Sequence, residues 1–376
     1  MDLSFSDDQR LLKDSVERFI AQRYDFAARR RIATSADRFS PEVWRALAEF
    51  GWLGLPQSEA DGGFGGGAVD VGIVMEGLGK GLVLEPYVST VVLGGGLIAG
   101  AGSAAQRGLW LPRIAAGDLR LALAHGETMF ASLGGVPGTR ATRSGDTWTL
   151  QGSKCLVLDA PGAHEFIVTA TGDEGALLLF MVPRAAPGLQ VHAYETLDGR
   201  LAANLRLEHV GVSEAQRLAG AVDAAELLAR VLDRAVAALC AEAVGSLQHL
   251  LDTTVAYTRT RVQFERPIAS NQVLRHRMVD MAIQCEEARA MSLRAALAVE
   301  REPHERAREV SGAKLKITRA ARMVSESAVQ LHGAMGVTDE LDVGAYMMRM
   351  LSFEKTFGTP AEHRDRLVQL RAHRAA

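Results

Sequence analysis

The sequence predicts an α+β fold: an N-terminal all-helical domain (1–118), a middle β-domain (119–221) and a C-terminal four-helix bundle (222–376). Three observations predict it. Apolar residues recur at helical spacing up to about Gly117. Short β-branched runs broken by Gly, Pro and Asp then fill the stretch from Leu121 to Leu218. After Val222 about forty residues pass without a proline.

The first helix starts at Ser6, a capping residue followed by Asp7 and Asp8 at the positive helix end. Leu11, Leu12, Val16, Phe19 and Ile20 mark its apolar face. A second helix begins with Pro41 after Ser40, runs through Trp44, Leu47 and Phe50, and stops at Gly51. Gly62 to Gly67 read as a loop before an apolar helix through Val71, Val74, Met75 and Leu78. Val88 to Gly102 is too short and glycine-rich for a membrane span, and reads as a packed helix or turn. Segments such as EFIVTAT and ALLLFMV are strands. In the last third Leu232, Val236, Leu239, Ala243, Leu247 and Leu250 share one side of a long helix. Met278 to Val299 and Arg306 to Leu331 give two more.

Composition narrows the function. With 48% hydrophobic residues, 376 positions bury enough apolar surface to need no disulfide or metal staple. Forty-two Lys and Arg against 45 Asp and Glu leave a net charge of −3, a poor basis for nucleic-acid binding. The triplet Arg29, Arg30 and Arg31 reads as a solvated helix face. Cys155, Cys240 and Cys285 are too scattered for a zinc site or a disulfide framework, so no metal is expected. The acidic N-terminus has no signal-peptide core, which points to a cytoplasmic protein. Gly63-x-Gly65-x-x-Ala68 imitates a dinucleotide fingerprint but lacks a preceding strand, and is read as a turn.

Two later segments are more specific. Arg261-Val-Gln263-Phe264-Glu265-Arg266-Pro267-Ile268 with Gln272, and Gln330-Leu-His332-Gly333-Ala-Met-Gly336, together resemble the acyl-CoA dehydrogenase family. The likeness extends over essentially the whole chain. It implies FAD bound between the β-domain and the C-terminal helices, with a neighbouring subunit closing the site. Arg261 and Phe264 would meet the flavin nucleotide's diphosphate and adenine end, Gln330 and Gly333 would do so across a dimer, and Gln263, Gln272 and Gly336 would also be cofactor-binding. The alternative leaves Arg261 as a helix cap and Phe264 in the core.

The sequence departs from the family pattern at several positions. Glu265 replaces a glycine, placing a carboxylate near the expected diphosphate. Leu158 stands where a threonine hydroxyl would reach the flavin ring, and HGETMFASLGG (125–135) replaces the usual E-P-x-x-G-S-D. Phe357 occupies the position of the family's C-terminal catalytic glutamate, and Ala235 that of the alternative glutamate. Glu242 lies two helical turns after Ala235, beside the apolar stripe. Desolvation there would raise its pKa toward that of a general base. The competing roles are an ion pair with Arg234 or another helix's arginine, or a place on a partly solvated flank. Asp233 and Glu226 are weaker candidates.

Ala241-Glu-Ala-Val-Gly245 and Gly358-Thr-Pro-Ala-Glu-His363-Arg364 resemble bacterial subunits that pair with a different homologous chain in steroid side-chain or dicarboxylic-acid degradation. Two expectations follow from the resemblance. In the first, the chain desaturates an acyl-CoA thioester with Glu242 as base and passes electrons to an electron-transfer flavoprotein, as a homo-oligomer or within a hetero-oligomer. In the second it is a catalytically silent subunit that completes a partner's flavin pocket.

Overall fold

The computed structural model describes residues 4–128, 135–220 and 222–375. Its helices are α1 (Asp7–Arg23), α2 (Phe26–Ala33), α3 (Pro41–Glu49), α4 (Ala68–Lys80), α5 (Gly96–Ala101), α6 (Ala104–Ala115), α7 (Ala224–Thr260), α8 (Gln272–Ala298), α9 (Pro303–His332), α10 (Val343–Lys355) and α11 (Pro360–Ala375). Its strands are β1 (Leu121–Ala124), β2 (Arg140–Ser144), β3 (Thr147–Leu158), β4 (Glu165–Thr171), β5 (Leu177–Pro183), β6 (Leu189–Glu195), β7 (Leu201–Ser213), and the short pair β8 (Val262–Gln263) and β9 (Arg266–Pro267). The order is helical, then β, then helical, as the sequence predicts.

The chain forms two compact units. One comprises Met1–Arg31, Ala68–Val83 and Val236–Ala376; the other comprises Ile32–Gly67 and Leu84–Ala235. In the first unit Ser6 and Gln9 form a reciprocal capping box at the start of α1. α1 packs on α4, and α9 packs against α8, α10 and α11. α4 and α7 meet backbone to backbone. A Cβ on Gly245 would lie 1.8 Å from the Glu76 carbonyl oxygen, and one on Gly79 would lie 1.9 Å from that of Glu242. The Ser246 hydroxyl closes the contact by donating to the Gly79 carbonyl at 3.0 Å. Arg29 departs from the expected solvated face: it is buried, and its Nε donates to the Leu82 carbonyl at 3.3 Å. An apolar stem and a waiting carbonyl at a chain turn draw one arginine of the triplet inward.

In the second unit Ser40 caps α3 and Gly51 turns the chain at its end with φ +76°. Val88–Gly95 forms a π-helical run that leads into α5. The seven-stranded sheet runs β1-β4-β2-β3-β7-β6, with β5 on β4. β1 and β4 are parallel, whereas β4–β5, β2–β3, β3–β7 and β6–β7 are antiparallel. Alternate residues face a core of Trp148, Phe166, Phe180, Val182, Leu205 and Leu207. The β3–β7 register slips between Lys154 and Val157, where Leu156 adopts φ +50°. Such a bulge re-aims the residues that follow it, Leu158 included.

Candidate functional site

Glu242 sits on α7 and is only 2% exposed, so of the places its helical phase allowed it takes the buried one and not a solvated flank. Its surroundings are not apolar alone. Arg349 of α10, itself 5% exposed, reaches it with both arms of its guanidinium: Nε donates to Oε1 at 2.8 Å and Nη2 to Oε2 at 2.7 Å. Bidentate pairing of this kind favours the anion and engages one lone pair on each carboxylate oxygen. Of the rival acids, Asp233 is also buried, on the α7 segment that belongs to the second unit.

The same interior holds a lysine that the sequence reading missed. Lys314 of α9 is 1% exposed, donates to the carbonyls of Phe353 and of Thr356 (2.9 Å to the latter), and lies 3.7 Å from the Phe353 ring centre. It thereby places a cation at the carbonyl end of α10. Burial pushes its amine down to about 7, with Arg349 adding to the effect and Cys240, Glu242 and Glu354 opposing it. His363 is fully buried beside it, and burial with the Lys314 charge pushes its imidazole down to about 3. Its Nε2 donates to the Phe357 carbonyl at 3.1 Å, and its Nδ1 accepts from the Ser311 hydroxyl at 3.1 Å. Phe357 itself holds φ +50°. Side chains of α9 and α11 thus fix the turn after α10 that carries Phe357.

The candidate nucleotide-binding residues gather at one end of the first unit. Arg261, Gln263, Phe264 and Glu265 form an exposed hairpin whose two tip residues, Phe264 and Glu265, have φ +52° and +65°. Phe264 is 94% exposed, which excludes a core role within this chain. Gln272 opens α8 and is exposed. The hairpin end joins the end of α9 through Tyr257, whose ring stacks on His332 at 4.3 Å. Gln330 lies in a shallow groove with Arg277, Arg319 and Arg322. Gly333 is exposed with φ +62°, and a Cβ there would meet nothing within 4 Å. Gly336 differs: it is buried, and a Cβ would approach the Val329 carbonyl oxygen to 2.7 Å, so its part is to let the chain pack against α9. His332 Nδ1 bonds the Ala328 carbonyl at 2.8 Å, leaving buried Nε2 without a partner among the described residues. Exposed guanidinium groups, an uncovered aromatic ring and an open glycine backbone fit the diphosphate and adenine of a dinucleotide.

In the second unit, Lys154 is fully buried on β3 and donates to Glu127 at 2.8 Å. Burial would raise the Glu127 carboxyl, but hydrogen bonds from Lys154 and Thr139 outweigh it and bring it down to about 2. Burial and the Lys154 charge lower His125 to about 4. Glu127 also accepts from the Gly138 and Thr139 amides at 2.6 and 2.8 Å, bracketing the segment that departs from the family pattern. Residues 129–134 of that segment lie outside the described residues. Among the described residues no cluster of His, Cys, Asp and Glu could hold a metal, and no helix is long and apolar enough to cross a membrane.

Comparison with known proteins places these features in a family. The acyl-CoA dehydrogenase N-terminal domain model matches residues 6–118, and the C-terminal domain model matches 225–369. Acyl-CoA dehydrogenase FadE27 of Mycobacterium tuberculosis is 30% identical over 328 residues, covering 85% of each chain. Among solved structures, a variant of the Tcur3481–Tcur3483 steroid ACAD aligns with TM-score 0.87 and 30% identity over 98% of this chain and 99% of that one. The ChsE4–ChsE5 complex of Mycobacterium tuberculosis aligns with TM-score 0.90 and 27% identity over 99% of both chains. Homologues in this family bind FAD and are oxidoreductases acting on CH–CH bonds. The chain therefore belongs to the acyl-CoA dehydrogenase family.

Proposed function

We propose that this chain is the flavin-completing subunit of a heteromeric acyl-CoA dehydrogenase and supplies no general base of its own. The observation that carries the proposal is the bidentate pairing of Glu242 with Arg349. Removing an α-proton from a thioester requires a carboxylate that is basic enough and within reach of that proton. Both Glu242 oxygens already accept from Arg349, which stabilises the carboxylate as an anion and weakens it as a base, and Phe357 stands at the other position where the family carries the acid. Leu158 can pack against a flavin ring but offers it no hydrogen bond.

In this role Arg261, Gln263, Phe264, Gln272, Gln330 and Gly333 hold the nucleotide end of FAD from the exposed end of the bundle, and Gly336 keeps that backbone in place. FAD, when bound, supplies the hydride acceptor for α,β-desaturation. The homologous partner supplies the carboxylate, and electrons leave to an electron-transfer flavoprotein. The two solved relatives named as pairs, ChsE4–ChsE5 and the steroid-active Tcur3481–Tcur3483, support a heteromer and a steroid-type acyl group.

One observation favours the other role, with Glu242 as base: its carboxylate is buried on α7 close to the alternative family position. That role requires a lone pair of Glu242 that Arg349 does not use to face the substrate.

Expression of the chain alone and together with a homologous acyl-CoA dehydrogenase chain tests the proposal. The chain alone should be colourless and inert, and the pair should carry flavin absorbance and oxidise acyl-CoA. Flavin-loaded, active protein from this chain alone would overturn it.

A further inference from the structure

A cleft of about 520 Å³ lies within the first unit between α1, α4, α7 and α8. None of the residues assigned to the nucleotide end lines it, nor does Glu242. Its size falls within the roughly 300–1,000 Å³ usual for small-molecule sites. Val16, Ile73, Val244 and Leu293 give it apolar walls. Its floor is bare at Gly72, where a Cβ would meet only the Ala241 methyl, at 3.8 Å.

The charges around the cleft are unevenly matched. Arg289 pairs with Glu76 at 2.5 Å, and Lys80 faces Glu17 at 4.0 Å. Lys13 has no carboxylate partner among the described residues; its ammonium lies 5.9 Å from the centre of the Phe5 ring. Among the described residues the cleft therefore combines an apolar trough with one cation at its edge that no carboxylate pairs. An amphiphile with a single negative head and a flexible hydrocarbon tail matches both features.

We propose that this cleft binds a straight-chain carboxylate, with its alkyl chain along the floor at Gly72 and its head at Lys13. The site is separate from the flavin end and does not depend on the subunit role proposed above. Stripping water from the tail drives binding, and the ion pair sets its orientation.

The full chain is titrated calorimetrically with octanoate, decanoate and dodecanoate, each below its micelle concentration. One saturable site is expected, tightening about fourfold per added methylene until the trough is full. Lys13→Gln should weaken decanoate by up to about fivefold, the worth of an exposed ion pair, and leave decanol unchanged. Gly72→Leu fills the floor and should abolish binding, with circular dichroism unaltered. No saturable binding by the native chain, or binding untouched by both substitutions, overturns the proposal. So does a cleft that accepts only the apolar side chain of a protein partner and no free carboxylate.

Discussion

Arg349 grips both oxygens of Glu242 across the interior of the first unit, at 2.7 and 2.8 Å, and neither residue is more than 5% exposed. The pair ties α7 to α10. Breaking such a pair from one side leaves a buried charge without its counterpart. Arg349→Met should therefore cost about 3–5 kcal/mol, read as a lowered urea midpoint. Glu242→Leu made together with Arg349→Met should recover most of that loss, because an apolar pair of similar volume replaces the ion pair.

Gly245 carries a second prediction. A methyl group there would sit 1.8 Å from the Glu76 carbonyl oxygen, so α4 and α7 must separate to admit it. Gly245→Ala gains up to about 1 kcal/mol in helix propensity, yet overpacking of about 1–3 kcal/mol or more should prevail. Thermal unfolding should show a lowered midpoint.

Lys314 and His363 predict a pH dependence of stability. Both folded values lie below the unfolded ones: about 7 against 10.5 for Lys314, and about 3 against 6.5 for His363. For each group the unfolded chain binds more protons in that window, so stability rises with pH across it. Lys314's contribution is complete above about pH 10.5 and fades as pH falls toward 7. His363's is complete above about 6.5 and fades as pH falls toward 3. Urea midpoints measured against pH should show both slopes in the native chain. Lys314→Met should remove the alkaline one, and His363→Leu the acidic one.

The hairpin at Arg261 predicts two opposite effects on flavin retention. Arg261→Ala removes a charged hydrogen-bond donor, worth about 1.5–3 kcal/mol, and should weaken FAD binding by the proposed heteromer about 10- to 150-fold. Glu265 holds φ +65° and adds a carboxylate at the same tip. Glu265→Gly removes both features and should tighten FAD binding and raise stability by about 1–2 kcal/mol. Equilibrium dialysis of FAD against the two variants measures both effects.

What the sequence disclosed and what it withheld divide along local and distant interactions. Ser6, Ser40 and Pro41 act within one helical turn, and the structure places the helix starts where they predict. Helical phase puts Glu242 beside the apolar stripe, and the packed bundle decides that it is buried. Its partner is set by the bundle too: Arg349 lies 107 residues away on another helix, and only the packed bundle brings the two together. Lys314 was illegible for the same reason. A lysine in a helix ordinarily reads as solvated, and the carbonyls that hold it belong to Phe353 and Thr356. Arg29 hid within a basic triplet, although a carbonyl at Leu82 draws it inside. The Lys154–Glu127 pair also needs the strands in place before the two residues meet. The hairpin at Arg261 was found by its motif, and its near-total exposure at Phe264 emerges only from the fold.

In the role proposed for it, this chain furnishes no proton-abstracting carboxylate. The most direct test of that role is acyl-CoA oxidation by the heteromer carrying Glu242→Leu with Arg349→Met, a substitution that removes the acid without stranding a charge. Unchanged turnover with full flavin content is the predicted result. A loss of about 10²–10⁴-fold with flavin retained, the scale of an absent general base, would contradict it.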